Sequence, residues 1–305
     1  MNELASSVDT LEIRAPSANK TSVSETGSSG VQVDLGAVSH PGKVRPNNED
    51  HFLITKLERS MQVLLSNLPE GLVPDRQTET AYGILVADGM GGHAAGEVAS
   101  KEAIRFMVEL VLATPDWIMR NSAEGTKEVI RRTEDRFQQI TQSLTQMTHD
   151  NPRLFGMGTT MTLACSLGSH MIVSHVGDSR AYRFRNGRLE RVTHDHTLVQ
   201  ALIDKGAMLA EDAAKHPLRH VLLNVIGTKG EPVKVEIDQV RLADGDQILL
   251  CSDGLTDMVP EPAIAQVLGE SRSAEDACHV LVDLALEAGG KDNVTVALGH
   301  YHIPE

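Results

Sequence analysis

Val86-Ala87-Asp88-Gly89-Met90-Gly91-Gly92-His93 decides how the rest of the chain reads. The apolar run from Tyr82 to Ala87 ends in a carboxylate, and four of the next eight residues, counting to Gly96, are glycine. A buried strand thus delivers Asp88 to a tight loop poor in side chains, where glycine allows unusual backbone angles and close approach of a ligand. Metal and phosphate sites are built this way. So is a plain strand-to-helix turn whose Asp caps a helix starting near Ala94, and the stretch alone fits either.

Working outward, the same arrangement recurs. The strand Met171 to Val176 ends in Gly177-Asp178-Ser179-Arg180, and Gln247 to Cys251 ends in Ser252-Asp253-Gly254. Gly289-Gly290-Lys291-Asp292-Asn293 stands just before a last strand, Val294 to Leu298. Near the start of the domain, Gly42-Lys43-Val44-Arg45-Pro46-Asn47-Asn48-Glu49-Asp50 places Arg45 and two adjacent acids at the mouth of Phe52-Leu53-Ile54. Alone, that loop reads as a solvated turn with a local ion pair.

Converging carboxylates repel one another and cost several kcal/mol unless cations neutralise them. All-oxygen ligation selects Mg²⁺ or Mn²⁺ over Zn²⁺. Two such ions, about 3.5 to 4 Å apart, can share a water, lower its pKa and aim it at phosphorus. An Arg at the same mouth holds phosphate oxygens in a fork that Lys cannot reproduce, and Arg45 is the candidate.

The bulk properties agree with this direction. The 305 residues suffice for one large domain or two smaller ones, and a hydrophobic fraction of 41% provides a core. A formal net charge of −14 disfavours nucleic acid or an anionic membrane as partner. Cys165, Cys251 and Cys278 show no metal-ligand spacing, and Cys251 reads as a small core residue. With no membrane-length apolar run and no signal-peptide layout, the expectation is a cytoplasmic protein.

Residues 1–30 form a Ser/Thr-rich segment, read as a disordered tail, and the folded domain is expected over 31–305. It opens with Val31, Val33, Leu35 and Ala37 alternating on one face of a strand. Lys56 to Thr80 is a hairpin excursion or a short helix without assigned chemistry. Helices are expected over Ala94 to Ala113, with Ile104, Met107, Val108, Val111 and Leu112 buried and Pro115 as the stop, and over Ala123 to Thr148. Strands dominate from Thr159 to Val192, with a hairpin turn at Asn186-Gly187. Thr193 to Ile226 is more helical, and His194 and His196 within it suit a turn better than metal ligation. Two helices follow, Pro262 to Leu268 and Ala274 to Ala288, the second burying Val280, Leu281, Leu284 and Ala285.

Arg45-Pro46-Asn47-Asn48-Glu49-Asp50, Asp88-Gly89-Met90-Gly91-Gly92-His93, Gly158-Thr159-Thr160, Gly177-Asp178-Ser179-Arg180, Ser252-Asp253-Gly254 and Asp292-Asn293 follow one another in order. This series resembles that of the metal-dependent Ser/Thr protein phosphatases of the PP2C (PPM) family, bacterial branch. The resemblance runs from Val31 to the C-terminus. It implies an α+β fold, a four-layer αββα sandwich of two packed antiparallel sheets flanked by helices, with metals in the cleft between the sheets. It implies that Asp88 bridges two Mn²⁺ or Mg²⁺ ions, that the Gly89 carbonyl serves the second, and that Asp253 and Asp292 complete the first. Glu49 and Asp50 would act through metal-bound waters, Asp178 with Asp253 would hold a third ion, Arg45 would bind phosphate and His93 would protonate the leaving alkoxide.

The implied reaction is hydrolysis of phosphoserine or phosphothreonine by direct attack of a metal-activated hydroxide, with no phosphoenzyme. A silent phosphoprotein-binding scaffold and a small-molecule phosphoester hydrolase of the same fold are the alternatives. The expected partners are phosphorylated proteins, a Ser/Thr kinase among them, with no nucleic acid, no membrane and a monomeric state. Residues 193–227 resemble the family's active-site flap. There Val221-Leu222-Leu223-Asn224-Val225-Ile226-Gly227 departs from the family pattern, which has a Thr-Arg pair before Ala-Leu-Gly.

Overall fold

The computed structural model describes residues 30–69, 71–91, 95–113, 123–213, 216–228 and 232–304. Residues 1–29 of the expected tail, the helix stop at Pro115 and the candidate proton donor His93 lie outside them. Strands β1 (Gln32–His40), β2 (Asp50–Gln62) and β3 (Arg76–Met90) precede helices α1 (Ala95–Ala113) and α2 (Ala123–Asp150). Then come β4 (Gly158–Thr159), β5 (Met161–Leu167), β6 (His170–Val176), β7 (Arg180–Arg185), β8 (Arg188–Arg191), α3 (Leu198–Asp204) and α4 (Ala210–Ala213). The chain continues through β9 (Glu236–Arg241), β10 (Gln247–Cys251), α5 (Asp253–Thr256), α6 (Glu261–Glu270), α7 (Ala274–Glu287) and β11 (Val294–His302).

Two antiparallel sheets result. One runs β1-β11-β10-β7-β8, the other β2-β3-β5-β6-β9, and β4 pairs with the end of β3. Tight turns suffice to connect antiparallel neighbours: between β7 and β8, Asn186 and Gly187 both take positive φ (51° and 77°), which matches the twist of the flanking strands.

Three apolar layers hold the sandwich together. Ile84, Val86, Ala164, Leu250 and Ala297 pack between the sheets, and Val31, Val33, Leu35 and Ala37 line that layer on the face expected from their alternation. Leu85 and Ala87 turn the other way, onto Ala99, Phe137 and Leu144 of α1 and α2. Leu249, Cys251 and Val296 pack against Leu255, Ile264 and Leu281 of α5, α6 and α7. Both faces of β3 are therefore covered, which explains why Tyr82 to Ala87 is apolar throughout instead of alternating. No helix among the described residues is long and apolar enough to cross a membrane.

The structure chooses between the two readings of one segment and shifts other expectations. Lys56 to Thr80 is a hairpin: β2 and β3 stay paired from Lys56↔Tyr82 to Gln62↔Arg76, with Arg59 opposite Glu79 at 4.0 Å. Among the described residues of 193–227, the helices are the short α3 and α4. In α1 the buried ridge is Ala95, Ala99, Ala103 and Met107, whereas Leu112 is 66% exposed. Side-chain size misleads there, because small residues four apart let the helix approach β3 closely. In α7 the buried set includes Ala277, Cys278 and Val282, and Val280 faces outward.

The alanine ridge gives a test. Ala99→Leu should cost about 1 to 3 kcal/mol by overpacking, whereas Leu112→Ala should stay within about 0.5 kcal/mol of the parent. Urea unfolding midpoints measure both, and an Ala99→Leu protein as stable as the parent would contradict the close seating of α1.

Candidate active site

The acids singled out in the sequence meet at one rim of the sandwich. In the second sheet Asp50 opens β2 directly opposite Asp88 near the end of β3. In the first sheet Asp253 follows β10, and Asp292 precedes β11. Asp178 sits where the chain leaves β6 in one sheet and enters β7 in the other. Strand ends that share a rim thus bring together residues from across the whole domain.

The scaffold grips the peptides of these residues more than their carboxylates. The Asp88 N–H donates to Thr160 Oγ1 (3.0 Å), and its carbonyl accepts from the Thr160 N–H (2.9 Å) and Thr159 Oγ1 (2.8 Å). Asn293 clamps the Arg45 loop: its Oδ1 accepts the Glu49 N–H (2.8 Å) and its Nδ2 donates to the carbonyls of Pro41 (2.9 Å) and Asn47 (2.8 Å). Ser252 Oγ accepts the Thr295 N–H (3.0 Å) and donates to Asp50 Oδ2 (2.7 Å). Arg45 donates to Asp292 Oδ2 at 2.6 Å, with its side chain half exposed at the mouth.

Glycine is required where α1 crosses β3. A Cβ on Gly89 would lie 2.1 Å from the Gly96 carbonyl oxygen, and a Cβ on Gly96 would lie 2.8 Å from the Glu49 carboxylate. The Gly89 N–H donates to the Glu49 carbonyl (3.2 Å), so the loop after Asp88 is sewn to the loop before Asp50.

Burial first, and crowding of like charge second, raise the carboxylates of this group. Burial holds Asp88 well above the usual carboxylate range, and the charges of Asp50, Asp253, Asp178 and Asp292 add to it. Burial pushes Asp50 up to about 7, against the stabilising hydrogen bond from Ser252. Asp178 is raised by burial and then by Asp253 and Asp195, with Arg180 opposing. Glu49 is raised by burial, eased by Arg45 and pushed further by Asp292 and Glu97.

Whether these residues fit hard divalent cations can be judged from Asp50. Its Oδ1 is buried with no hydrogen-bond partner, a cost of about 1 to 3 kcal/mol for a polar atom and more for a charged one. A cation among these carboxylates would relieve it. The surrounding donors are carboxylate oxygens, the chemistry that suits Mg²⁺ or Mn²⁺, and the set fits.

Glu49, Asp50, Asp88, Asp178, Asp253 and Asp292 thus share one electrostatic cluster, with Arg45 at its edge and Gly89 against the Glu49 loop. His194 and Cys251 serve elsewhere: His194 pairs with Asp204 (2.8 Å), and burial pushes the Cys251 thiol up to about 12. Arg180 forks onto Asp195 and acts on Asp178 through its charge. Sequence reasoning did not anticipate His220, whose ring nitrogens lie 3.5 Å from Asp253 Oδ2 and 3.4 Å from Asp257 Oδ2. The ligand atoms of those three residues fall within 4.8 Å of one another. No local pattern marks His220, because the path of the chain between β8 and β9 alone brings it to Asp253.

Known proteins resemble this chain in sequence and fold. The sequence model of protein phosphatase 2C matches residues 75–287. The serine/threonine phosphatase stp of Listeria monocytogenes is 38% identical over 217 residues, covering 70% of this chain and 82% of that protein. The crystal structure of the serine/threonine phosphatase PstP of Mycobacterium tuberculosis is 32% identical, with a TM-score of 0.68, covering 88% of this chain and 98% of the other. A structure of the catalytic domain of PstP in complex with two manganese ions is 29% identical, with a TM-score of 0.68, covering 89% and 99%. With the acids, the two sheets and these likenesses in agreement, the chain belongs to the protein phosphatase 2C family.

Proposed function

We propose that this chain is a protein-serine/threonine phosphatase that uses two Mn²⁺ or Mg²⁺ ions, held chiefly by Asp88, Gly89, Asp253 and Asp292, with Glu49 and Asp50 contributing through water. The observation that carries the reading is the cluster of carboxylates around Asp88, one of them with an unpartnered buried oxygen, beside an arginine at the mouth. When bound, such ions supply an activated water for in-line attack on phosphorus and offset the charge of the phosphate.

The chain's own residues do the rest. Arg45 forks the phosphate oxygens and orients the phosphorus over the acid cluster, with Asp292 keeping the guanidinium at the mouth in the meantime. Gly89 and Gly91 keep bulk out of the cleft. Asn293 and Ser252 fix the loops on which Glu49 and Asp50 ride, so little reorganisation is needed at the moment of reaction. His93 is our candidate for donating a proton to the departing serine or threonine oxygen. Asp178, with Asp253, is our candidate for a third, weaker cation site.

On the same reading, the chain acts as a cytoplasmic monomer on phosphorylated proteins, a Ser/Thr kinase among them. Residues 31–305 make up the phosphatase domain, and 193–227 form its flap.

Hydrolysis of a phosphothreonine peptide should require Mn²⁺ or Mg²⁺, stop with chelator and drop by orders of magnitude in Asp253→Ala. Full turnover in chelator would overturn the mechanism, and turnover confined to metabolite phosphates would overturn the substrate class. Arg45→Lys should keep the fold but lower kcat/KM by about tenfold or more, because Lys cannot form the fork. A variant with unchanged kcat/KM would remove Arg45 from the site.

The raised carboxylates set a pH dependence. Asp50 stands up to about 7, and Asp88 and Asp178 also lie high, against about 3.9 for Asp in an unfolded chain. Between those values the cation-free folded chain binds more protons than the unfolded one, so stability falls as pH rises from about 4 through about 7. Mn²⁺ binds the ionised, folded carboxylates and opposes that loss. The gain in Tm on adding Mn²⁺ should therefore be larger at about pH 7.5 than at about pH 5. Equal gains at both would dismiss the cluster as the binding site.

A further inference from the structure

His196 and Asn224 lie in the segment whose sequence departs from the family pattern or invited a metal reading, and neither belongs to the acid cluster. His196 meets the peptide of Gly177, the residue immediately before Asp178, and Asn224 meets His196. The Gly177 carbonyl accepts the backbone N–H of His196 (2.7 Å) and Nε2–H of the fully buried His175 (3.0 Å). The Gly177 N–H donates to His196 Nδ1 at 3.2 Å. Gly177 has φ 114°, and a Cβ there would meet Thr160 at 2.4 Å, so the turn is committed to this shape.

The partners fix how each ring is protonated. Asn224 Oδ1 accepts the Lys234 N–H (3.2 Å) and its Nδ2 donates to the Lys234 carbonyl (2.6 Å), which leaves no choice in the orientation of the amide. The same Nδ2 donates to His196 Nδ1 at 2.9 Å. His196 Nδ1 thus faces two N–H donors and must be bare, while Nε2 carries the proton toward Glu236 Oε2 at 3.3 Å. His175, its ring centroid 4.9 Å from that of His196, accepts from Thr162 at Nδ1 (2.8 Å) and is neutral in the core.

We propose that His196 is a positioning residue for Asp178: its bare Nδ1 holds the Gly177 peptide and so sets the direction in which Asp178 leaves the turn. Asn224 extends that control, because it ties the same nitrogen to the backbone at Lys234, just before β9, and to the returning limb of the flap, which also meets His196 through the Leu223 N–H (2.8 Å). The seating of the flap and the placement of Asp178 are then one adjustment. This rests on the reading of Asp178 as a cation ligand, and neither His196 nor Asn224 is assigned a contact with substrate.

Two substitutions separate the nitrogens. His196→Asn offers an amide oxygen near the place of Nδ1 and gives up Nε2, whereas His196→Gln can reach Glu236 and gives up the acceptor for Gly177. Mn²⁺ alone is titrated into the full-length protein by calorimetry, and kcat and KM are measured on a phosphothreonine peptide at saturating Mn²⁺. Asp178→Ala should lose the weakest class of Mn²⁺ sites. His196→Gln should weaken that class by about tenfold, as expected for a residue that orients a ligand, and lower kcat with KM little changed. His196→Asn should retain most of both. Asn224→Ala should weaken the same class and serves as the second variant if His196→Gln does not fold. If His196→Gln and Asn224→Ala lower Tm but leave Mn²⁺ binding and kcat intact while Asp178→Ala does not, the positioning role is overturned and the reading of Asp178 stands. If Asp178→Ala itself leaves Mn²⁺ binding unchanged, both fall.

Discussion

Two carboxylates held face to face on adjacent strands, Asp50 and Asp88, set the terms for everything around them. Like charges directly opposite one another destabilise a sheet, and here burial sharpens the penalty. The molecule answers by spending its hydrogen bonds on the backbone: Thr159 and Thr160 hold the Asp88 peptide, Asn293 holds that of Glu49, and only one Asp50 oxygen is satisfied by a side chain. The carboxylates stay available while their positions are fixed. A site that bound its acids with many donors would be more stable empty and less receptive to cations.

The architecture follows from the same need. An antiparallel sandwich puts alternate strand ends at a common rim, so a strand leaving and a strand entering can each offer an acid there. The chain uses this at β2 and β3 in one sheet, at β10 and β11 in the other, and at the crossing from β6 to β7. Helices on the outer faces let the inner strands be apolar on both sides, which keeps water from softening the platform beneath the acids.

Much of this was legible in the sequence because strand periodicity is local. Each of Asp88, Asp178 and Asp253 closes an apolar run, and Asp292 opens one, so a reader of the sequence meets all four as exceptions at the ends of regular patterns. The α1 face is not legible in the same way, because burial there depends on closeness, which favours alanine over large residues such as Leu112. The hairpin beyond Lys56 was ambiguous because its pairing rests on ladder hydrogen bonds and cross-strand charges such as Arg59 and Glu79, without a strong β-branched signature. His220, Asp257 and the partners of Asn224 were out of reach, since their neighbours are decided by the route of a loop and not by any repeat within it.

The layer between the sheets acquires a meaning beyond stability. Asp50 and Asp88 ride on one sheet, Asp253 and Asp292 flank strands of the other, and Ile84, Val86, Leu250 and Ala297 fill the gap between them. Those four side chains work as the spacer of a caliper whose jaws are the two pairs of acids. A methylene added or removed in that spacer would reset the distance between the two pairs of acids, so the geometry of the acid cluster depends on residues that lie outside it.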